Sequence, residues 1–255
     1  MNPRTSVHTK SETPPRLSIV IPAYNEASRI ESTLVHVLRY LESQDYPSEI
    51  IVVDDGSTDA TFGVVRNMRT PNRTPIRVHQ LKVNQGKGAA VKAGMNTLAT
   101  GAFRLFYDAD ASTPIEEVDR IWAEFEGGAD IVIGSRSLPE SRVEVHQAPY
   151  REFMGRTYNR ILKALRLSGF IDTQCGFKAF TAAATECVFS RQTVERFSFD
   201  VELLFVAEKH GLVIREIPVR WINSRASRVN PVRDSARMFW DLLLIHYRNW
   251  QGRYR

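Results

Sequence analysis

Apolar residues fall along this chain in two rhythms. Short unbroken runs occur at Leu17-Ser18-Ile19-Val20-Ile21-Pro22, Ile50-Ile51-Val52-Val53, Phe103 to Tyr107 and Ile131-Val132-Ile133, with a weaker one at Ile76-Arg77-Val78. Apolar runs of this length, bounded by turn residues, predict buried strands. Between them lie stretches of helical period. Ala27 to Leu41 carries Ile30, Leu34, Val37, Leu38 and Leu41 on one stripe, and Ala60 to Met68, Gly86 to Leu98 and Pro114 to Phe125 read as further helices. Strands alternating with helices of this length predict parallel crossover units and hence an α/β fold.

Beyond Gly134 the pattern changes. Arg136 to Tyr150 is polar and reads as a mobile loop whose polarity and position suit closure over the donor, and Arg151 to Leu167 as a basic amphipathic helix. A short strand at Gly176 to Phe180 and a helix at Ala182 to Phe189 follow, then a helix at Val201 to His210, a strand at Val213 to Val219 and a last helix at Val232 to Tyr247. Residues 1–16, rich in Pro, Ser and Thr, are expected to form a loose tail. No linker divides the rest, so residues 17–230 are expected to be one domain, with 17–134 and 135–230 as its two halves and 231–255 as an amphipathic C-terminal helix.

Composition narrows the setting. The 255 residues, 43% hydrophobic and 25% charged, suffice for one large α/β domain. Cys175 and Cys187 form no ligand spacing and no disulfide framework, which fits a reducing, cytosolic setting. No run reaches the roughly 18 apolar residues of a membrane span, and the first sixteen residues are too polar for a secretory signal. The net charge of +5, with arginines gathered late in the chain, favours an anionic small molecule or a membrane surface. No nucleic-acid-reading motif is visible.

Chemistry is concentrated where the strands end. Ligands of parallel α/β sheets bind beyond the carboxyl ends of the strands. Three polar clusters fall there: Pro22-Ala23-Tyr24-Asn25-Glu26, Asp54-Asp55-Gly56-Ser57-Thr58-Asp59 and Asp108-Ala109-Asp110. The last pair would repel, and a hard cation such as Mg²⁺ or Mn²⁺ relieves that repulsion while keeping positions open for phosphate oxygens. Each cluster also has a local explanation: Asn25, Ser57, Asp59 or Asp110 can cap a following helix. A nucleotide suits the whole set, with Asp54 accepting from a base imide, a tyrosine stacking, and the metal joining a diphosphate to Asp108 and Asp110.

These residues, with Asn84-x-Gly-Lys-Gly88 and Gly134-Ser-Arg136, resemble the inverting family 2 glycosyltransferases of GT-A fold. Asp172-Thr-Gln-Cys-Gly-Phe-Lys178 and Phe199-Asp-Val-Glu-Leu203 are similar to the branch that moves a sugar, glucose or mannose, onto a polyprenyl phosphate such as dolichyl phosphate, and to its glucosyl members in particular. The resemblance covers Leu17 to Trp221. It implies nucleoside positions at Pro22, Tyr24, Glu26 and Asp54, with Asp55 beside them, and metal and diphosphate positions at Asp108 and Asp110. Lys87 sits at a helix start where backbone amides favour anions. Where some relatives have Gln two residues after the second acid, this chain has Ser112, which leaves that third metal position open. UDP-glucose is the donor implied, with GDP-mannose the alternative.

The acceptor side turns on protonation. A hydroxyl acceptor needs a general base, whereas a phosphate is already ionised and needs cations to hold it. Arg136, Arg151, Arg156 and Lys178 suit that task, and Arg225 and Arg228 could close over the phosphates; the other reading of each is a solvated surface charge. Asp200, at a helix start, resembles the family's acceptor-side acid or base. It is named with Arg136 and Lys178 as a catalytic candidate, although a carboxylate is favoured there on electrostatic grounds alone. Three functions are thus open: hexose transfer to a polyprenyl phosphate, transfer to a hydroxyl with Asp200 as base, or nucleotide-sugar binding without catalysis. The last helix, with its aromatics and arginines, suits peripheral contact with a membrane from the cytoplasmic side, a core position or a homo-oligomer interface.

Overall fold

The computed structural model describes residues 14–69, 74–145, 149–165, 167–222 and 231–255, with the side chains of 149–153, 156 and 231–236 set aside. Seven strands form one sheet: β1 (Leu17–Ala23), β2 (Ser48–Asp54), β3 (Ile76–Gln80), β4 (Phe103–Tyr107), β5 (Ile131–Ser135), β7 (Phe177–Thr181) and β8 (Ile214–Pro218). Their order is β3-β2-β1-β4-β7-β5-β8. Strands β1 to β4 are mutually parallel, as the crossover pattern requires, and β5 is parallel to β8. Only β7 runs against its neighbours, pairing antiparallel with both β4 and β5. The fold is therefore α/β with a mainly parallel sheet, and the two halves of the chain share that single sheet.

Alternation along each strand sorts the apolar side chains onto two faces. Leu17, Ile19 and Ile21 of β1, with Ile50, Val52, Leu105 and Tyr107, pack against α1 (Ile30–Glu42), α2 (Thr61–Arg66) and α4 (Val118–Glu126). Val20, Ile51, Val53, Phe106, Ile131 and Ile133 face α3 (Lys87–Lys92), α6 (Ala182–Arg191), α7 (Phe199–Lys209) and α8 (Pro231–Trp250). Helix α5 (Pro149–Ala164) adds Leu162 to this second layer. Burial on both faces explains why the strands read as continuous apolar runs.

Several boundaries differ from the sequence expectation for local reasons. Helix α1 begins at Ile30 rather than Ala27, because Arg29 N and Ile30 N both donate to Glu26 O and close a turn first. The helix after Gly86 widens into a π-helical turn over Ala93–Leu98, where Gly94 lies so close to Val20 that a Cβ would come within 2.3 Å of its Cγ1. The loop after Gly134 contains a two-residue strand, β6 (Arg142–Val143), paired with β9 (Arg220–Trp221). Arg16 does not belong to a loose tail: its N–H donates to Pro47 O at 2.8 Å and its guanidinium lies 4.3 Å over the Trp122 ring. Residues 1–13 lie outside the described residues.

Candidate active site

Strand order reverses at β1, whose neighbours β2 and β4 lie on opposite sides, and a crevice opens at such a reversal beyond the carboxyl ends. Ala23 is in register with Asp54, so the residues leaving β1 and β2 meet at once. Asn25 adopts a left-handed conformation (φ 55°), and its Oδ1 accepts from Thr58 N at 2.8 Å while its own N–H donates to Ser57 Oγ at 2.8 Å. Asn tolerates this region better than most side chains. The two loops are thereby stitched together.

Asp54 and Asp55 are engaged by neutral donors, Glu26 by a guanidinium. Asp54, fully buried, accepts from Ser57 N at 3.0 Å and Gln80 Nε2 at 2.8 Å. Asp55 accepts from Asn84 Nδ2, Gln85 N and Gly86 N, each at 2.8 Å, and so shapes the loop that enters α3. Burial pushes the Asp55 carboxyl above its ordinary range, and those amide hydrogens oppose the rise. Glu26 is paired with Arg29 through two contacts, one of them Arg29 Nη2 to Oε1 at 2.7 Å. Pro22 is within β1, and the Tyr24 ring beyond its end is open to solvent, as a stacking platform must be.

At the end of β4, Asp108 and Asp110 stand with Lys87. Lys87 Nζ lies 2.7 Å from Asp108 Oδ1. Burial works against the Lys87 charge, but Asp108, Asp200 and Asp110 overcome it and hold the ammonium above its usual range. Asp110 is raised as well: burial and then the Asp108 charge lift its carboxyl, although Ser112 N donates to Oδ1 at 3.0 Å. Antiparallel β7 places Phe177 opposite Tyr107, and Asp108 N donates to Gly176 O at 3.1 Å. A Cβ on Gly176 would lie 1.9 Å from Asp108 Oδ2, so only glycine leaves room for that carboxylate.

Across the crevice the charges are paired with each other. Lys178, with no exposed surface, donates from Nζ to Asp200 Oδ1 and to Cys175 O, both at 2.6 Å. Burial raises the Asp200 carboxyl, while Lys178 and then Lys87 pull it down. The ammonium groups of Lys87 and Lys178 lie 5.0 and 5.6 Å from the Phe106 ring centroid, which joins the two sides. Arg136, just past β5, binds Asp172 through N at 3.0 Å, Nε at 2.7 Å and Nη2 at 2.8 Å. Burial alone would raise Asp172, yet the guanidinium beside it holds the carboxyl at about 2.

The fold thus gathers Pro22, Tyr24, Glu26, Asp54, Asp55, Lys87, Asp108, Asp110, Arg136, Lys178 and Asp200 along one edge of the sheet. Lys178 is internal and engaged by Asp200, not a cation open to solvent. Arg151 and Arg156 fall on α5 with side chains outside the described set, and Arg225 and Arg228 lie outside the described residues. Two participants, Arg29 and Gly176, are missing from the sequence expectation. Arg29 sits close enough to Asp110 and Asp108 to feel their charge, its signal being only its place three residues after Glu26. Gly176 was signalled only by its place in Cys-Gly-Phe-Lys.

A mainly parallel sheet that opens at a strand reversal and gathers carboxylates there is the GT-A arrangement, and the chain is a glycosyltransferase. Residues 18–189 match glycosyl transferase family 2, and the chain belongs to that family. It is 34% identical over 247 residues to a dolichyl-phosphate beta-glucosyltransferase of Dictyostelium discoideum, covering 92% of this chain and 75% of that one. The corresponding human protein is 33% identical over 252 residues, 94% and 78% of the two chains. Among solved structures, glucosyl-3-phosphoglycerate synthase from Mycobacterium tuberculosis, in complex with Mn²⁺, UDP and glucosyl-3-phosphoglycerate, superposes with a TM-score of 0.66. It is 22% identical, over 91% of this chain and 80% of that one. Among the described residues no helix is long and apolar enough to cross a membrane.

Proposed function

We propose that the enzyme transfers glucose from UDP-glucose, with inversion, to the phosphate of a polyprenyl phosphate. The observation that carries this reading is the engagement of Asp200 by buried Lys178: the residue best placed to be a base is already neutralised by an ammonium. A phosphate monoester needs no base. Its second pKa is near 6, so an oxygen is already deprotonated at neutral pH. That oxygen forms the bond to the anomeric carbon as the bond to the β-phosphate of UDP breaks, and UDP leaves with the electron pair. No proton has to be removed. The sequence similarity to dolichyl-phosphate beta-glucosyltransferases supports glucose as the sugar and a polyprenyl phosphate as the acceptor class.

Asp108 and Asp110 fit Mg²⁺ or Mn²⁺. These two carboxylates would hold the ion, and bound Mg²⁺ is usually shared between carboxylates and substrate phosphates. When bound, the metal supplies charge to the departing diphosphate. The raised Asp110 carboxyl, crowded by Asp108, is the condition such a cation relieves. Lys87 holds Asp108 in place and adds positive charge to the same point. Asp54, Asp55 and Glu26 order the loops around the nucleoside, Tyr24 stacks on the base, and Arg136, held by Asp172, is the described arginine of the acceptor side. The enzyme acts as a peripheral protein on the cytoplasmic face of a membrane, where a prenyl chain is dissolved.

A hydroxyl acceptor with Asp200 as base is the second reading, and the upward shift of its carboxyl by burial is what favours it. The deciding experiment is transfer from radiolabelled UDP-glucose, with Mg²⁺ or Mn²⁺, to a short polyprenyl phosphate. Label in the organic phase that EDTA abolishes is the expected result. Bound UDP-glucose with no lipid product moves the acceptor to a hydroxyl, in which case Asp200→Asn should cost roughly 10²–10⁴-fold. Failure to bind UDP-glucose makes GDP-mannose the next donor to test.

A further inference from the structure

Helix α8 lies beside α7 and runs the same way. Ser198 Oγ donates to Met238 O at 3.4 Å near the start of α7, and Lys209 Nζ to Asn249 Oδ1 at 2.5 Å near its end, with Leu242 and Ile245 buried between. The far end is fastened. Tyr254, fully buried, donates its hydroxyl to Glu202 at 2.5 Å, Arg248 Nη1 donates to Thr193 Oγ1 at 2.7 Å, and His210 Nε2 lies 3.0 Å from Tyr254 O. The helix is therefore held rigidly against the catalytic domain.

Its outward face is not polar. At 3.6 residues per turn, Phe239, Trp240, Leu243, Tyr247 and Trp250 share one stripe opposite Leu242 and Ile245. All five are exposed, Trp240 at 60% and Trp250 at 82%, and they make up five of the eleven large apolar side chains exposed among the described residues. Among the described side chains, the exposed charges at its margins are of one sign. Arg237, Arg253 and Arg255 are exposed, whereas Asp241, the only acid between Arg237 and Arg255, is half-buried on the side of Ser198. Indole and phenol rings with a basic border match the headgroup layer of an anionic bilayer, where the rings sit at the apolar boundary and the guanidinium groups meet lipid phosphates.

We propose that the α8 stripe is the surface by which the enzyme docks on an anionic lipid bilayer. The inference rests on the lipid-phosphate reading of the acceptor for its purpose, though not for its geometry. The stripe starts beside Ser198, two residues from Asp200, so a bilayer lying against it meets the crevice on its acceptor side. A rigid helix fastened at Glu202 and Thr193 fixes the height of that crevice above the headgroups. A second copy of the chain is the competing occupant.

The test is flotation of the full chain with vesicles of phosphatidylcholine containing about one third phosphatidylglycerol, without any prenyl phosphate. The wild type should float with them and detach as salt is raised. Trp240→Ala/Trp250→Ala should bind about tenfold or more weakly, with unchanged melting temperature and unchanged affinity for UDP. Equal flotation of the variant, no flotation of the wild type, or a dimer that the variant converts to monomer would each overturn the proposal. The two readings fail separately. Vesicle binding without lipid transfer overturns the acceptor reading alone, and transfer to a short, water-soluble prenyl phosphate should be the same in both proteins.

Discussion

At the donor side, Asp54 and Asp55 give their carboxylate oxygens to amides: Ser57 N, Gln80, Asn84, Gln85 N and Gly86 N. Across the crevice, Asp172 and Asp200 give theirs to Arg136 and Lys178. The first arrangement uses charge to shape loops, and neutral donors leave the acids' charge uncompensated for a cationic partner. The second cancels charge in pairs, which resist separation because each buried ion depends on the other. One edge of one sheet thus holds a corner whose acids are amide-bound next to a floor whose charges are paired; on the proposed function the first serves the nucleotide and the second the acceptor.

The sharpest way to break this contrast is Asp110→Ala. Transfer should fall by at least about 10³-fold with the melting temperature intact, since a charge that acts on the departing diphosphate is lost. Retained turnover would remove the metal from Asp110. On the balanced side, Lys178→Met strands Asp200 in the interior and should cost about 3–5 kcal/mol in denaturant unfolding, with Lys178→Met/Asp200→Leu recovering most of it. Full stability of the single variant would show that the pair is not a unit. Gly176→Ala should displace the Asp108 carboxylate and lower transfer about 10²-fold with little change in stability.

The smallest effect is in pH. The Asp172 carboxyl is lowered from an ordinary 3.8 to about 2, so its contribution is complete above pH 4 and is lost as pH falls through 2. Asp172→Asn should therefore be less stable than wild type by roughly 2 kcal/mol near pH 6, the gap closing between pH 4 and 2. Asp55 is raised instead, so its burial costs stability once it ionises, and acid relieves that cost. Urea unfolding of Asp172→Asn and Asp55→Asn across pH 2–6 should show the opposite slopes. Parallel curves would erase the distinction between the two sides.

Most strands and helices were legible, because runs such as Ile50–Val53 are buried on both faces and amphipathic stripes such as that of α1 are not. The direction of β7 was not. A five-residue run announces a strand, but its antiparallel place between β4 and β5 depends on partners far away in sequence. β6 and β9, two residues each, carry no pattern at all. At the site, acids at strand ends were visible as a cluster, but the partner of each oxygen was not. Lys178 illustrates this: its residue type suggests a surface cation, and only the packing of Phe106 and Asp200 around it makes it internal.

The insertion of β7 also sets an order of events during synthesis. β5 is flanked in the sheet by β7 and β8, both of which come later in the chain. At about 5–20 residues per second, β5 emerges seconds ahead of either partner, as an apolar strand with two open edges. A nascent chain halted before Phe177 is thus a substrate for chaperones rather than half an enzyme. The donor corner acquires its final Asp108 contact, through Gly176, only when the strand that completes the sheet arrives.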